Sequence, residues 1–513
     1  MTKTRRAFTA AAAIVALAAA LWAVVGSAWI LPELSANSDE GLYLLQADAL
    51  AEGRLAPVAP EHDAEAHLPW FSVARDGRYV LKYAPVHASV LAAAEVVSRS
   101  TRAALGAIAA AQVLLVIALA RELGASRRAA LVAGGLFATA PLVLQLDITY
   151  LPYGTSVSLL LAAATAGWRA HRRSSRPWAI VAGACWGLAA FARPYDAVLF
   201  GAALAGALLL RHHRLPSDDR PPLGRLTDAA ALGAVVPLAG LLAFNHTMTG
   251  DALQLPFHLM EPRDAPGLGL RRSLPSDGYL DYTLARAASS LGRNLLLVAV
   301  WSAGGLLGGG LAAATLVRRR LDGAVLLLAV LVVWPIGYAL FWGSYVAAYL
   351  WDGALFLGPF YYLPMVAVLA VAAGVGLDDL WRWRPSVGAV AALGAVVLSA
   401  GVAVPRLAAQ QGRTEPREAV ADAMQTIDGP SLVFVPPLYG PYLQNPLSFL
   451  RNDADLGGSI VYALDRGDAA NDRVRAAYPG RAVYRLELPN GWNDQPGFEP
   501  GVHLERLPDE GAR

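Results

Sequence analysis

Residues 8–43 read FTAAAAIVALAAALWAVVGSAWILPELSANSDEGLY, and the order of their parts decides the fold. Residues 8–30 carry no charge and are long enough to cross a bilayer as a helix. Pro32 breaks that run. Two adjacent carboxylates follow, in Ser38-Asp39-Glu40-Gly41-Leu42-Tyr43. Charged groups beside a membrane are costly to desolvate and are kept for a function.

Working outward, Lys3, Arg5 and Arg6 precede the first run. The run exceeds the roughly 7–15-residue core of a cleaved signal peptide and lacks a small-x-small site, so an uncleaved anchor with its N-terminus inside is expected. The whole chain of 513 residues is 56% apolar and 16% charged, with a mean hydropathy of +0.41. Soluble domains are about 25% charged. Further spans are expected near 101–121, 127–147, 152–168, 177–192, 194–210, 228–244, 291–316, 323–343, 355–376 and 387–404, eleven in all. The reading is an α-helical multi-pass membrane protein with a membrane domain over 1–404. A small α/β extracytoplasmic domain over 405–513 follows, where the composition turns polar. Strands are expected there at Ser431–Val435, Ser459–Ala463 and Ala482–Leu488, and helices at 416–426 and 471–477.

Charge sets the topology. With the short apolar stretch 84–99 lying in the interface, the loops 121–128, 169–176, 211–225, 318–322 and 382–384 hold sixteen arginines. The opposite short loops 148–154, 191–196 and 344–353 hold one, Arg193. Arginine-rich loops stay inside. The outer face therefore receives the first loop, 31–100, the second long loop, 245–290, the turn 344–353 and the tail. A net charge of +2 gives no reason to expect nucleic acid, and the single Cys185 permits neither an internal disulfide nor a cysteine metal site.

On that outer face Ser38 reads as the N-cap of a short helix ending near Gly53, lying on the membrane with Leu42, Leu45, Ala49 and Leu50 inward. Asp39 sits in its first turn, where backbone amides favour an anion. Lys82, one of two lysines beside forty arginines, precedes the interfacial stretch and can meet a lipid phosphate or simply snorkel. Arg193 breaks the charge rule, so it calls for an anion, either a ligand or the nearby Asp196. Tyr345, Tyr349, Trp351 and Asp352 form a rim that suits a sugar face or an interface belt. Glu61-His62-Asp63-Ala64-Glu65-Ala66-His67 lacks metal-ligand spacing and reads as a solvated loop. The glycines at 304–305 and 308–310 read as close helix packing.

The ordered set Asp39-Glu40-Gly41-Leu42-Tyr43, Lys82-Tyr83-Ala84-Pro85, Arg193-Pro194, Asn245 with Thr249-Gly250-Asp251, Gly358-Pro359 and Tyr362-Leu363-Pro364 resembles the GT-C superfamily of membrane glycosyltransferases. Its nearest resemblance is to the protein O-mannosyltransferase and aminoarabinose transferase relatives. The resemblance runs over most of residues 1–376. It implies an inverting sugar transfer from a polyprenyl-phosphate donor to a lipid, glycan or protein acceptor outside the cell membrane. Asp39 would be the base, Glu40 its support, and Lys82 and Arg193 the holders of the donor phosphate. The substrate-binding set expected is Lys82, Tyr83, Arg193, Asp196, Asn245, Asp251, Tyr345 and Asp352. No cofactor is required, although a divalent cation between Asp39 and Glu40 is conceivable. Many relatives carry arginine after Gly-Pro, where this chain has Phe360, so a catalytically inactive scaffold is one alternative. A transporter or lipid-linked sugar flippase is another. It would place ionisable residues at mid-membrane.

Overall fold

The structure is a computed structural model that describes residues 3–272, 278–318, 321–351, 353, 356–438, 445–488 and 501–508. Helices occupy all eleven expected stretches. They are α1 (Lys3–Trp29), α4 (Thr101–Glu122), α5 (Arg127–Ala138) with α6 (Pro141–Leu146), α7 (Tyr153–Arg173), α8 (Arg176–Ala192), α9 (Pro194–Arg214), α10 (Leu223–Thr249), α12 (Leu284–Trp301) with α13 (Gly305–Val317), α14 (Ala324–Ala339) with α15 (Trp342–Tyr349), α16 (Leu363–Trp383) and α17 (Pro385–Gln425). The loops add α2 (Asp39–Ala51), α3 (Val86–Ser98) and the single turn α11 (Phe257–Met260). Among the described residues six helices are long and apolar enough to cross a membrane, or eight if each bent pair is one span.

The bends correct one sequence expectation. The stretch 291–316 is two helices meeting at 100°, and 323–343 begins a pair meeting at 84°. Gly304 and Gly305 both have positive φ, 70° and 54°, and form the first bend; Gly304 also packs closely on α17, since a Cβ there would lie 2.8 Å from Ala395 Cβ. A side chain resists that conformation. Ser399 Oγ accepts from the Gly304 amide at 2.9 Å and pins the bend to α17.

The two sets of loops separate to opposite ends, as the charge count requires. At one end Glu122 pairs with Arg169 (2.7 Å) and Arg172 (3.4 Å), Arg211 contacts His171, and Asp378 pairs with Arg128 and Arg382. At the other end Glu40 meets the Tyr150 turn, and Arg193 lies over the Tyr153 ring. The stretch 84–99 is α3, docked on that second end through His87, whose ring contacts Tyr150 O and Thr155 Oγ1.

Helix α2 forms where the sequence puts it, but Ser38 makes no side-chain capping bond; Asn37 Oδ1 accepts from the Asp39 amide instead, at 3.0 Å. Nor does α2 lie on the surface with one face covered. Residues 40–47 are all buried. Tyr43, Leu44 and Ala47 join the main core, while Leu42 and Leu45 pack under the hairpin of β1 (Ser72–Arg75) and β2 (Arg78–Leu81).

Helix α17 runs unbroken through Pro405 and Pro416 into the tail. There a four-stranded sheet orders as β6 (Ile460–Leu464), β5 (Ser431–Val435), β7 (Ala482–Glu487) and β8 (His503–Arg506). β5 pairs in parallel with both neighbours and is buried at every position, which its continuous apolar run explains. Strand β8 was not legible in the sequence. Helix α18 (Asp468–Ala477) covers the expected 471–477. The tail docks on the first loop through Asn445 Nδ2 to Leu68 O (3.1 Å), Val58 N to Ala454 O (2.7 Å) and the pairs Arg466–Glu65, Arg473–Asp63 and Arg451–Asp48. His67 Nδ1 meets Tyr462 O at 2.8 Å. Part of the stretch expected to be a solvated loop is thus a docking seam.

Burial holds the His67 pKa below its ordinary value, against a smaller opposing pull from the Tyr462 carbonyl and Asp63. The folded state prefers the neutral ring, so the unfolded chain takes up the proton first as pH falls, and stability rises with pH through this window. Thermal unfolding should show a loss of stability as pH drops below about 6.5, the ordinary imidazole value. In His67→Gln that step should flatten.

Candidate active site

Asp39, Tyr43 and Gln46 are spaced i, i+4, i+7, which places them on one face of α2. All three hold Tyr83. The Tyr83 hydroxyl donates to Asp39 Oδ2 at 2.6 Å, its ring stacks on Tyr43 at 4.8 Å, and Gln46 Nε2 donates to its carbonyl at 3.3 Å. Burial first, and the Asp39 carboxylate second, push the Tyr83 hydroxyl well above the phenol range, so it stays a donor. Asp39 makes no ion pair among the described residues.

Lys82, next to Tyr83 at the end of β2, turns into the same space. Its Nζ lies 4.9 Å from the ring centres of both Tyr83 and Phe71. A cavity of about 460 Å³ opens here, lined by Asp39, Lys82, Tyr83, Arg193, Asp196 and an aromatic wall that includes Trp70, Phe71, Trp351, Phe360 and Tyr361. Five of the ten site residues expected from the sequence therefore meet in one place.

Two lining groups were missed. Asp264 and Arg272 come from the second long loop, which folds back over the cavity on a hairpin of β3 (Gly269–Arg272) and β4 (Tyr279–Tyr282). The loop is pinned to the end of α14 by Gly267 N to Leu340 O (2.7 Å) and Tyr282 Oη to Ala339 O (2.8 Å). Arg272 stacks 3.9 Å over Phe71. Asp264 Oδ2 lies 3.9 Å from Lys82 Nζ and 3.6 Å from Arg272 Nη1, so two cations share one carboxylate at distances longer than a hydrogen bond. The length of the loop was the only signal in the sequence.

Arg193 is differently committed. Its Nε donates to Asp196 Oδ2 at 2.6 Å, its guanidinium lies 4.6 Å over Tyr153, and Tyr338 donates to Asp196 Oδ1. The anion that Arg193 calls for is supplied inside the protein.

Other expected residues stand elsewhere. Glu40 is fully buried and points away from the cavity: Oε1 accepts from Ser35 N (3.0 Å) and from the Ser35 hydroxyl, and Oε2 accepts from Tyr150 N (2.8 Å). Burial raises its pKa, and those donors pull it back. Its oxygens are engaged, so Asp39 and Glu40 do not face a shared cation. Asn245 donates to Ala252 O at 3.1 Å and Asp251 Oδ1 accepts from Leu253 N at 2.9 Å; both side chains bond to the turn that closes α10, and neither lines the cavity. Tyr345 packs between Tyr282 and Tyr349, outside the cavity, and of the described residues of that rim only Trp351 reaches it. Asp352 lies outside the described residues.

Over 94% of its length the chain superposes on ArnT from Cupriavidus metallidurans bound to undecaprenyl phosphate, covering 92% of that chain with a TM-score of 0.56 at 14% identity. The apo form of that protein superposes with a TM-score of 0.54, at 14% identity over 92% of each chain. The chain has the GT-C fold. Within it, residues 431–512 match a domain of unknown function, DUF7846. No curated protein matches the sequence.

In this GT-C cavity Asp196→Ala would strand the Arg193 guanidinium in a half-dry site. It should destabilise the protein by about 3–5 kcal/mol in equilibrium unfolding in mixed micelles. The double variant with Arg193→Met should recover much of that loss.

Proposed function

We propose that the protein is an inverting glycosyltransferase of the cell membrane that passes a sugar from a polyprenyl-phosphate donor to an extracytoplasmic lipid, glycan or protein acceptor. The observation that carries this reading is one cavity holding an ion-pair-free carboxylate, Asp39, beside two cations, Lys82 and Arg272, that share a single acid. The local surplus of positive charge suits a phosphate, and the separated carboxylate suits a base.

The acceptor hydroxyl attacks the anomeric carbon from the face opposite the phosphate. Its proton passes to Asp39, the carbon–oxygen bond to phosphate breaks, and the electron pair leaves on the phosphate. Lys82 and Arg272 stabilise the charge that grows there, and Arg193 lends its field from behind Tyr153 and Asp196. Contacts aimed in advance at developing charge contribute about 3–4 kcal/mol each in known cases. Tyr83 fixes Oδ2 of Asp39, and Oδ1 makes no hydrogen bond among the described residues. The aromatic wall offers stacking faces for a sugar ring. The scheme uses no metal.

The positions of buried charges favour transfer over transport. Glu122, His171 and Asp378 lie at or near the C-terminal ends of their helices, Asp147 follows α6, and Asp196 is in the first turn of α9. Transporters place ionisable groups at mid-depth on broken helices, whereas the two bent pairs here, α12–α13 and α14–α15, carry no buried Asp, Glu, His, Lys or Arg among the described residues.

Membranes containing the protein, given a panel of radiolabelled polyprenyl-phosphate sugars, should transfer one of them. Asp39→Asn should lower that rate by about 10²–10⁴-fold at normal expression; transfer at the wild-type rate removes Asp39 from the mechanism. Lys82→Ala and Arg272→Ala should each weaken donor use, and the loss should be reproduced in binding of sugar-free polyprenyl phosphate.

A further inference from the structure

No described residue of the tail lines the cavity, yet beyond the Arg451–Asp48 pair the tail reaches the Asp39 end of α2 at two places. The first is a close approach. A Cβ on Gly41 would lie 1.9 Å from the carbonyl oxygen of Ser448, so only glycine lets α2 seat against the turn Pro446–Ser448. The second is a hydrogen-bonded path. Arg417, on the extracytoplasmic part of α17, is 2% exposed, lies 5.2 Å from the Phe449 ring, and donates from Nη1 to the Ser35 carbonyl at 2.7 Å.

Ser35 is a junction. Its amide and hydroxyl hold Glu40, and its Oγ accepts from Asn37 N at 3.2 Å. Asn37 Oδ1 in turn accepts from the amide of Asp39 at 3.0 Å. Glu40 ties the same turn to Tyr150. An unbroken path thus runs from a buried cation packed on the tail to the backbone of Asp39, with a transmembrane turn as the other anchor.

We infer that Arg417 is a positioning residue for Asp39, acting through Ser35, Asn37 and Glu40, and that the domain of unknown function is the buttress that keeps this latch closed. The inference rests on the proposed role of Asp39. The chemistry demands it: reacting groups must be held within roughly 0.5 Å of their productive places, and an error of about 1 Å can cost 10²-fold in rate. Tyr83 fixes the Asp39 side chain. Something else must fix the first turn of α2, whose amide end has no cap from Ser38.

The test uses the full chain in lipid nanodiscs with the polyprenyl-phosphate sugar that the wild type accepts. Arg417→Met should lower kcat by about 10–100-fold while the donor KM stays within about twofold, since no cavity residue changes. Arg417→Lys should restore part of kcat, because an ammonium can reach the same carbonyl. Ser35→Ala, which removes the hydroxyl links to Asn37 and Glu40 but leaves Glu40 the amides of residue 35 and Tyr150, should lower kcat in the same way. It decides the matter if Arg417→Met fails to fold. The double variant Glu40→Gln with Arg417→Met should be no worse than its poorer single variant, as members of one latch are not additive. An unchanged kcat in Ser35→Ala, losses that multiply in the double variant, or kcat and KM falling together with no rescue by lysine would each overturn the inference. If Asp39→Asn retains full transfer, the functional reading itself fails, independently of Arg417.

Discussion

Glu40 has no exposed surface, and its carboxylate is satisfied by the Ser35 amide, the Ser35 hydroxyl and the Tyr150 amide. A buried carboxylate without donors would be strongly destabilising, so these bonds are obligatory once the side chain is inside. They join three segments distant in sequence: the chain leaving α1, the first turn of α2 and the turn between α6 and α7. Successive helix positions point about 100° apart. With Glu40 turned inward, Asp39 has to face the cavity. The adjacency that makes the pair conspicuous in the sequence thus divides it in space, into an anchor and a group left for chemistry.

The cavity follows the same logic of matched and unmatched charge. Arg193 and Asp196 neutralise one another and are walled in by Tyr153, Tyr338 and Tyr361. Lys82 and Arg272 share Asp264. Asp39 has a phenol for a partner rather than a cation. A low-dielectric wall strengthens every one of these interactions relative to water. An anion entering between Lys82 and Arg272 is therefore favoured, while the Asp39 carboxylate keeps a proton-accepting oxygen.

The architecture was legible because membrane helices announce themselves by composition, and because sixteen arginines gathered in alternate loops fix which loops share an end. Periodicity does not encode the angle between two halves of one apolar stretch, so the bends at Gly304 and before Trp342 were invisible. In the site, Asp39, Lys82, Tyr83 and Arg193 stood out because each is a polar group kept where apolar ones are the rule. Asp264 and Arg272 did not. They are two charges among many in a long loop, and only the β3–β4 pairing and the Tyr282 anchor bring them back over the cavity. Asn245 and Asp251 stood out for the wrong reason: short polar side chains at a helix end serve the backbone as readily as a ligand. The inward turn of Glu40 depends on Tyr150, more than a hundred residues away, and no local pattern carries it.

Phe360 bears on whether such a cavity is competent at all. The family resemblance of the sequence would put arginine at that position, after Gly-Pro. Here the ring is 1% exposed and packs against Tyr153, Phe356 and Tyr361, as one element of the aromatic wall. A phosphate responds to the field at its own position and not to the chain segment that supplies the charge. In this protein a guanidinium reaches the cavity from the β3–β4 hairpin, held flat against Phe71 and within 5.9 Å of Trp342. Phe360 and Arg272 thus line the same cavity, one as part of its aromatic wall and the other as a cation. Arg272 rides on a loop packed over the site rather than on the bundle, so the folding of that loop brings the second cation to the cavity.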